Sequence, residues 1–233
     1  GASSPDHRFA VRDASDKPSA RNPEHGFWTE LGAGGVRISA ADGSFQLSLG
    51  PTGVRCGEEW AGFGAGAPRI AGAANRVELA RTAGKASVDE WYANGPLGLE
   101  QGFTLHASPC AGGAAELSIE MNVEGRTAVA STDGKTVVLA GSGLGAPSLR
   151  MQDLYVHDAT GRMLPARFEA APDRIALRFG VEGAVYPIQV DPLVVSQEAK
   201  LLTSTTGYGG LLEYFGKSVA VDGTTALIGA ESD

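Results

Sequence analysis

Two carboxylates, Glu90 and Glu100, flank the Asn94-Gly95 dipeptide in the stretch VDEWYANGPLGLEQGFTL. Asn-Gly tolerates the positive φ angles that a tight hairpin demands. If the hairpin closes over residues 95–97, the two carboxylates fall on one face, a diagonal step apart. A close carboxylate pair could serve as acid and base in glycoside hydrolysis. Charged side chains on the wet face of a hairpin are the plainer account, so no catalytic residue is assigned and the chain is expected not to be an enzyme. Trp91 and Tyr92, adjacent on the same strand, point to opposite faces. One therefore belongs to a core and the other is available to stack on a sugar or a partner side chain.

The remaining reactive residue types do not assemble into a known pattern. His7, His25, His106 and His157 lie far apart, with no ligand partner at a diagnostic spacing. His157-Asp158 precedes Ala-Thr-Gly and reads as a turn in which Asp158 accepts backbone amides. There is no G-x-S-x-G elbow, and the Gly-rich GSGLGAP opens no helix that could cradle a phosphate. Neither a cofactor nor a metal is expected. Cys56 and Cys110 form no C-x-x-C pair, which argues against a two-cysteine zinc site. Each sits beside Gly or Pro at the edge of a strand-like run, so a bridge is expected in an oxidising compartment; two unpaired small apolar residues are the alternative.

Lys and Arg number 19 against 27 Asp and Glu, for a formal net charge of −8. The basic residues are scattered singly, which excludes the clustered positive surface that nucleic acid requires. No apolar run approaches the roughly 18 residues of a spanning helix, and the first ten residues lack the basic and apolar regions of a signal peptide. No membrane insertion is expected. A hydrophobic content of 42% over 233 residues can supply a sizeable core.

The elements that must position these residues read as strands throughout. FWTEL, GVRISA and FQLSLG are short alternating runs bounded by GAGG, ADGS and GPTG, the period-two signature of half-buried strands. The Ala-rich stretch 67–87 is the one place where a helix competes. Gly72 and Gly84 interrupt it, and Val77 and Leu79 alternate, so strand is favoured. Further runs from AELSIEMNVEG to AVYPIQVDPLV repeat with turns about every ten residues, as in a sandwich or antiparallel barrel. Pro187 and Pro192 suit a final edge strand that leaves the sheet at Asp191. Residues 1–25 are expected to be a mobile lead-in or an edge strand, with RFAV strand-like, and residues 26–195 an antiparallel β-sandwich.

The order of two motifs carries a resemblance that covers roughly residues 26–233. VDEWYANGPLGLEQGFTL together with YPIQVDPLV (186–194) resembles the N-terminal β-sandwich region of large secreted proteins of myxobacteria and related bacteria. FGKSVAVDGTTALIGA resembles the FG-GAP repeat of integrin-α-like propellers, with Phe215-Gly216 and Gly229-Ala230 as its signature pairs. The resemblance implies an exported or cell-surface module followed by a partial propeller blade over residues 196–233, used in adhesion or assembly. Asp222 stands alone where calcium-binding repeats carry several spaced aspartates, and a lone carboxylate cannot supply six to eight oxygens.

An isolated two-stranded hairpin is marginal in water. Residues 197–233 are therefore expected either to continue into further blades or to pair with the sandwich or another copy by strand addition. Tyr208, Leu211, Leu212, Tyr214 and Phe215 form an apolar concentration that would pack between blades, and with Trp91 and Tyr92 they are the expected interaction residues. The overall expectation is a non-enzymatic extracellular module that supports or caps a propeller. Its partners are other protein chains, further repeats or copies of itself. The alternatives are a fibre subunit that assembles through its terminal strands and a carbohydrate-binding or glycoside-acting domain.

Overall fold

The computed structural model describes residues 7–12, 17–70, 75–111, 114–141, 148–196, 214–222 and 225–231. They form two compact units, Gly1–Glu198 and Ala199–Asp233. The first is built from two antiparallel sheets around one core, as the period-two patterning requires.

The first sheet begins with β1 (Ser19–Asn22), β2 (Phe27–Gly32), β3 (Gly35–Ala40), β4 (Gln46–Cys56) and β5 (Glu59–Gly62). The second begins with β6 (Pro68–Ile70), β7 (Arg76–Ala83), β8 (Ala86–Gly95) and β9 (Gly98–Leu105). The chain then alternates between layers. β10 (Glu116–Glu124) joins the first sheet, and β11 (Thr127–Ala130), β12 (Val137–Ala140) and β13 (Leu149–His157) join the second. β14 (Ala166–Ala171) and β15 (Arg174–Gly180) return to the first, and β16 (Ile188–Ser196) closes the second. The resulting orders are β1-β2-β3-β4-β10-β15-β14, with β5 also on β4, and β11-β12-β13-β16-β9-β8-β7-β6.

Alternation decides which residues meet between the layers. Leu47, Leu49 and Ile119 from one sheet and Leu79, Phe103 and Val190 from the other are all essentially fully buried in a single apolar cluster. At one side the layers are joined by backbone bonds, Ala128 N to Pro172 O at 3.0 Å and Phe168 N to Gly134 O at 2.7 Å. Those bonds satisfy part of an edge that would otherwise invite foreign strands.

The Ala-rich stretch is strand where it is described, in β6 and β7. Ser19–Asn22 supplies an edge strand within residues 1–25. RFAV is not a strand: His7–Phe9 form a short 3₁₀ turn that buries Phe9, whose carbonyl accepts from Asn94 Nδ2 at 3.1 Å.

β16 corrects the expectation of an edge strand leaving the sheet at Asp191. It runs on to Ser196 in the middle of the second sheet, between β13 and β9. A proline normally interrupts such a ladder because it has no N–H to give. Here β13 bulges opposite it: Gln152 pairs with Leu193 and Tyr155 with Asp191, so Asp153 and Leu154 together face Pro192. Asp153 takes a φ of 54°, the left-handed region that a short polar side chain tolerates.

In the second unit, β17 (Tyr214–Asp222) and β18 (Thr225–Glu231) form a two-stranded antiparallel sheet. The two signature dipeptides lie across from each other. Phe215 pairs with Ala230 and Ser218 with Gly229, leaving Gly216 and Lys217 as a bulge.

Candidate functional site

The hairpin β8–β9 places the residues on which a chemical role depended. It closes with Gly95 opposite Gly98, so Pro96 and Leu97 are the turn residues and Asn94-Gly95 belongs to the strand. Proline fits the second position of such a turn, and Gly98 adopts a φ of 139° that a side chain would resist. This closure differs by one residue from the one expected. In a period-two element a one-residue slip exchanges the faces. Glu90 pairs with Phe103 and points into the core, whereas Glu100 pairs with Ala93 on the outer face. The two carboxylates are not an acid–base pair.

Glu90 is instead the centre of a buried polar cluster. Arg81 Nε donates to its Oε2, and the Tyr92 hydroxyl donates to its Oε1. Gln101, directly opposite Tyr92, donates from Nε2 to the Tyr92 hydroxyl at 2.9 Å and to Glu90 Oε1 at 3.4 Å. Arg81 also donates to the carbonyls of Ala33 at 2.8 Å and Gly64 at 3.4 Å. Glu90 is 0% exposed, so no sugar can reach it, and the cluster acts as a clamp between β7–β9 and the β2–β3 turn of the other sheet. Burial first, then the neighbouring Glu90 charge, holds the Tyr92 phenol well above its ordinary range.

A second buried group secures the hairpin tip. Asn22 Nδ2 donates to Asn94 Oδ1 at 2.9 Å and to Gly95 O at 2.8 Å, and Asn94 Nδ2 reaches Arg21 O at 2.8 Å. Asn94, read from the sequence as a turn residue, thus fastens the hairpin to β1 together with Asn22.

Neither Trp91 nor Tyr92 is an open contact surface. Tyr92 points inward and Trp91 outward, as alternation requires, but Trp91 is only 6% exposed. Its indole lies across Gly102, whose position admits no Cβ against the ring, and Arg76 caps it at 4.2 Å from the centroid. Both aromatics stabilise the sheet rather than offering a free face.

On the same outer face Asp191 lies across the ladder from Tyr155, within the field of the Glu100, Arg76 and His157 charges. Burial, then the Glu100 charge, pushes its carboxyl up to about 6, against the opposing pull of Arg76 and His157. The folded protein therefore holds this proton more tightly than the unfolded chain. The associated stability is present below the ordinary carboxylate range near 4 and is lost as pH rises through about 6. Thermal midpoints compared between pH 4 and 7 are expected to fall for the natural chain relative to Asp191→Asn, in which that difference disappears; parallel curves would contradict the assignment.

Cys56 and Cys110 are bridged, as their positions suggested. Asp158 forms the expected turn: its Oδ1 accepts from the amides of Thr160 at 2.9 Å and Arg162 at 3.2 Å, and its Oδ2 from that of Val185 at 3.3 Å. Hydrogen bonds from Thr160 foremost hold its carboxyl below the usual range. Among the described residues no group of three or more His, Cys, Asp or Glu is placed to hold a metal, and no helix is long and apolar enough to cross a membrane. Tyr208, Leu211 and Leu212 lie outside the described residues, while Tyr214 and Phe215 open β17.

Sequence reasoning missed Arg81 and Gln101, although a signal for both existed. Arg81 falls in the apolar phase of Val77, Leu79 and Ala83, and Gln101 in that of Leu99, Phe103 and Leu105. A polar side chain in a core phase needs a partner there. No protein-family model matches this chain, and no curated protein matches it.

Proposed function

We propose that the chain is a non-enzymatic exported module whose disulfide-stapled sandwich carries a C-terminal ribbon that is completed by further β-strands, in adhesion or assembly. The observation that carries this reading is the β17–β18 ribbon. It belongs to a compact unit of its own, and among the described residues its two strands pair with each other. Among the described residues neither edge carries a further strand, and a strand edge is the template for strand addition. The facing Phe-Gly and Gly-Ala dipeptides support a blade-like role, and the bridge Cys56–Cys110 supports an oxidising compartment.

Hydrogen exchange of the amides in residues 214–231, read together with light-scattering mass over a concentration series, tests the proposal. The expected result is rapid exchange in dilute monomer and slowing as mass increases. Ribbon amides equally protected in dilute and concentrated samples would overturn it, because the ribbon would then need no added strand. Filaments visible by electron microscopy at high concentration would identify the fibre subunit as the form of assembly.

A further inference from the structure

The outer face of the first sheet carries an aromatic platform unlike that of Trp91. Trp60, opposite Arg55, is 44% exposed, and its indole lies over the cross-strand pair Gly53 and Gly62. A Cβ added at Gly53 would stand 2.7 Å from Trp60 Cζ2, and one added at Gly62 would stand 3.5 Å from Trp60 Nε1. Two side-chain-free residues thus form a seat that holds the ring flat against the sheet. Arg55 lies over part of the ring, 5.1 Å from its centroid, and the indole keeps its 44% exposure beside that guanidinium.

Beyond Arg55 the face continues as a grid of paired charges across β10, β15 and β14. Arg55 meets Glu120 at 3.8 Å, Arg178 meets Glu169 at 2.6 Å, and Arg167 meets Glu116 at 2.6 Å. Arg178 also reaches Glu116 at 3.4 Å. Grooves of about 310 Å³ and 360 Å³ share Arg55 and Arg178 as walls, so the grid is grooved up to the arginine that contacts Trp60.

We propose that this face binds a neutral polysaccharide, with one pyranose ring stacked on Trp60 and its neighbours lying along the Arg–Glu grid. A flat, supported indole matches the C–H face of a pyranose. Guanidinium and carboxylate groups side by side match vicinal hydroxyls, which donate and accept at once. The grid pairs each guanidinium with a carboxylate and so presents no excess of either sign to a charged polymer, while the net charge of −8 further disfavours polyanions. An apolar protein surface would have to dehydrate charges that are already paired, at a cost seldom recovered, whereas sugar hydroxyls replace the water they displace. The site lies wholly in the sandwich, so its fate is independent of the ribbon.

Calorimetric titration with cellohexaose, xylohexaose and mannohexaose, with an alginate oligomer as the anionic probe, tests the proposal. At least one neutral hexaose is expected to bind. Trp60→Ala is expected to weaken that binding by about tenfold or more. Trp28→Ala, which removes the other exposed indole of this sheet, is expected to leave it unchanged. If Trp60→Ala lowers the melting temperature, Glu120→Gln decides: it leaves the ring in place, and weaker binding at an unchanged melting temperature supports the site. No binding of any neutral hexaose, equal binding by Trp60→Ala or by a stably folded Glu120→Gln, an equal loss in Trp28→Ala, or a preference for alginate would overturn it.

Discussion

Glu90→Ala is expected to lower the stability of the sandwich by about 3–5 kcal/mol, measured by urea unfolding at neutral pH, because it strands a buried cation. Arg81 has a side chain only 3% exposed, and its Nε would lose the carboxylate it faces. Tyr92 and Gln101 would lose an acceptor at the same time. The two carbonyls of Ala33 and Gly64 cannot neutralise a guanidinium. Removing both charges together, as in Arg81→Met with Glu90→Leu, is expected to cost less than removing Glu90 alone, since no unpaired charge remains. A loss below about 1 kcal/mol in Glu90→Ala would show the cluster to be hydrated and the clamp to be unimportant.

Reducing the Cys56–Cys110 bridge, or replacing both cysteines with serine, is expected to cost up to about 4 kcal/mol. The bridge spans a sequence separation of 54 and closes a correspondingly long loop in the unfolded chain, which chain-entropy arguments weight heavily. It also acts in the folded state. Cys56 ends β4 in the first sheet, and Cys110 lies in the segment after β9 of the second, so the bond ties the layers at a point where no ladder joins β4 to β9. Urea midpoints with and without reductant measure the effect. Coincident transitions would mean that the core and the interlayer backbone bonds suffice by themselves.

Both effects arise from features of different legibility. The bridge could be anticipated from two cysteines, each beside Gly or Pro at a strand edge. The clamp could not be identified as such, because Glu90 and Arg81 are nine residues apart on adjacent strands and their meeting depends on how β7 and β8 register. Glu90 looked like half of a surface acid–base pair because the turn was placed one residue too early. The same period that made the strands readable turned that small error into an exchange of inside for outside. Pro192 misled for a related reason. Its missing N–H marks an edge only if the neighbouring strand is regular, and here β13 bulges at Asp153 to admit it.

By itself the sequence determined an all-β fold and strands separated by Gly- and Asp-rich turns, and it raised the Cys56–Cys110 bridge as an expectation that the structure then met. These follow from alternation and turn chemistry, which act over a few residues and are written locally. Only the tertiary structure decided which charges are buried, which aromatics are covered, and that Trp60 rather than Trp91 presents a face to solvent. The physical reason is that burial depends on register and on what lies across the ladder: Gly102 and Arg76 enclose Trp91, whereas Trp60 rests on Gly53 and Gly62 at the short strand β5 and keeps 44% of its surface exposed beside Arg55.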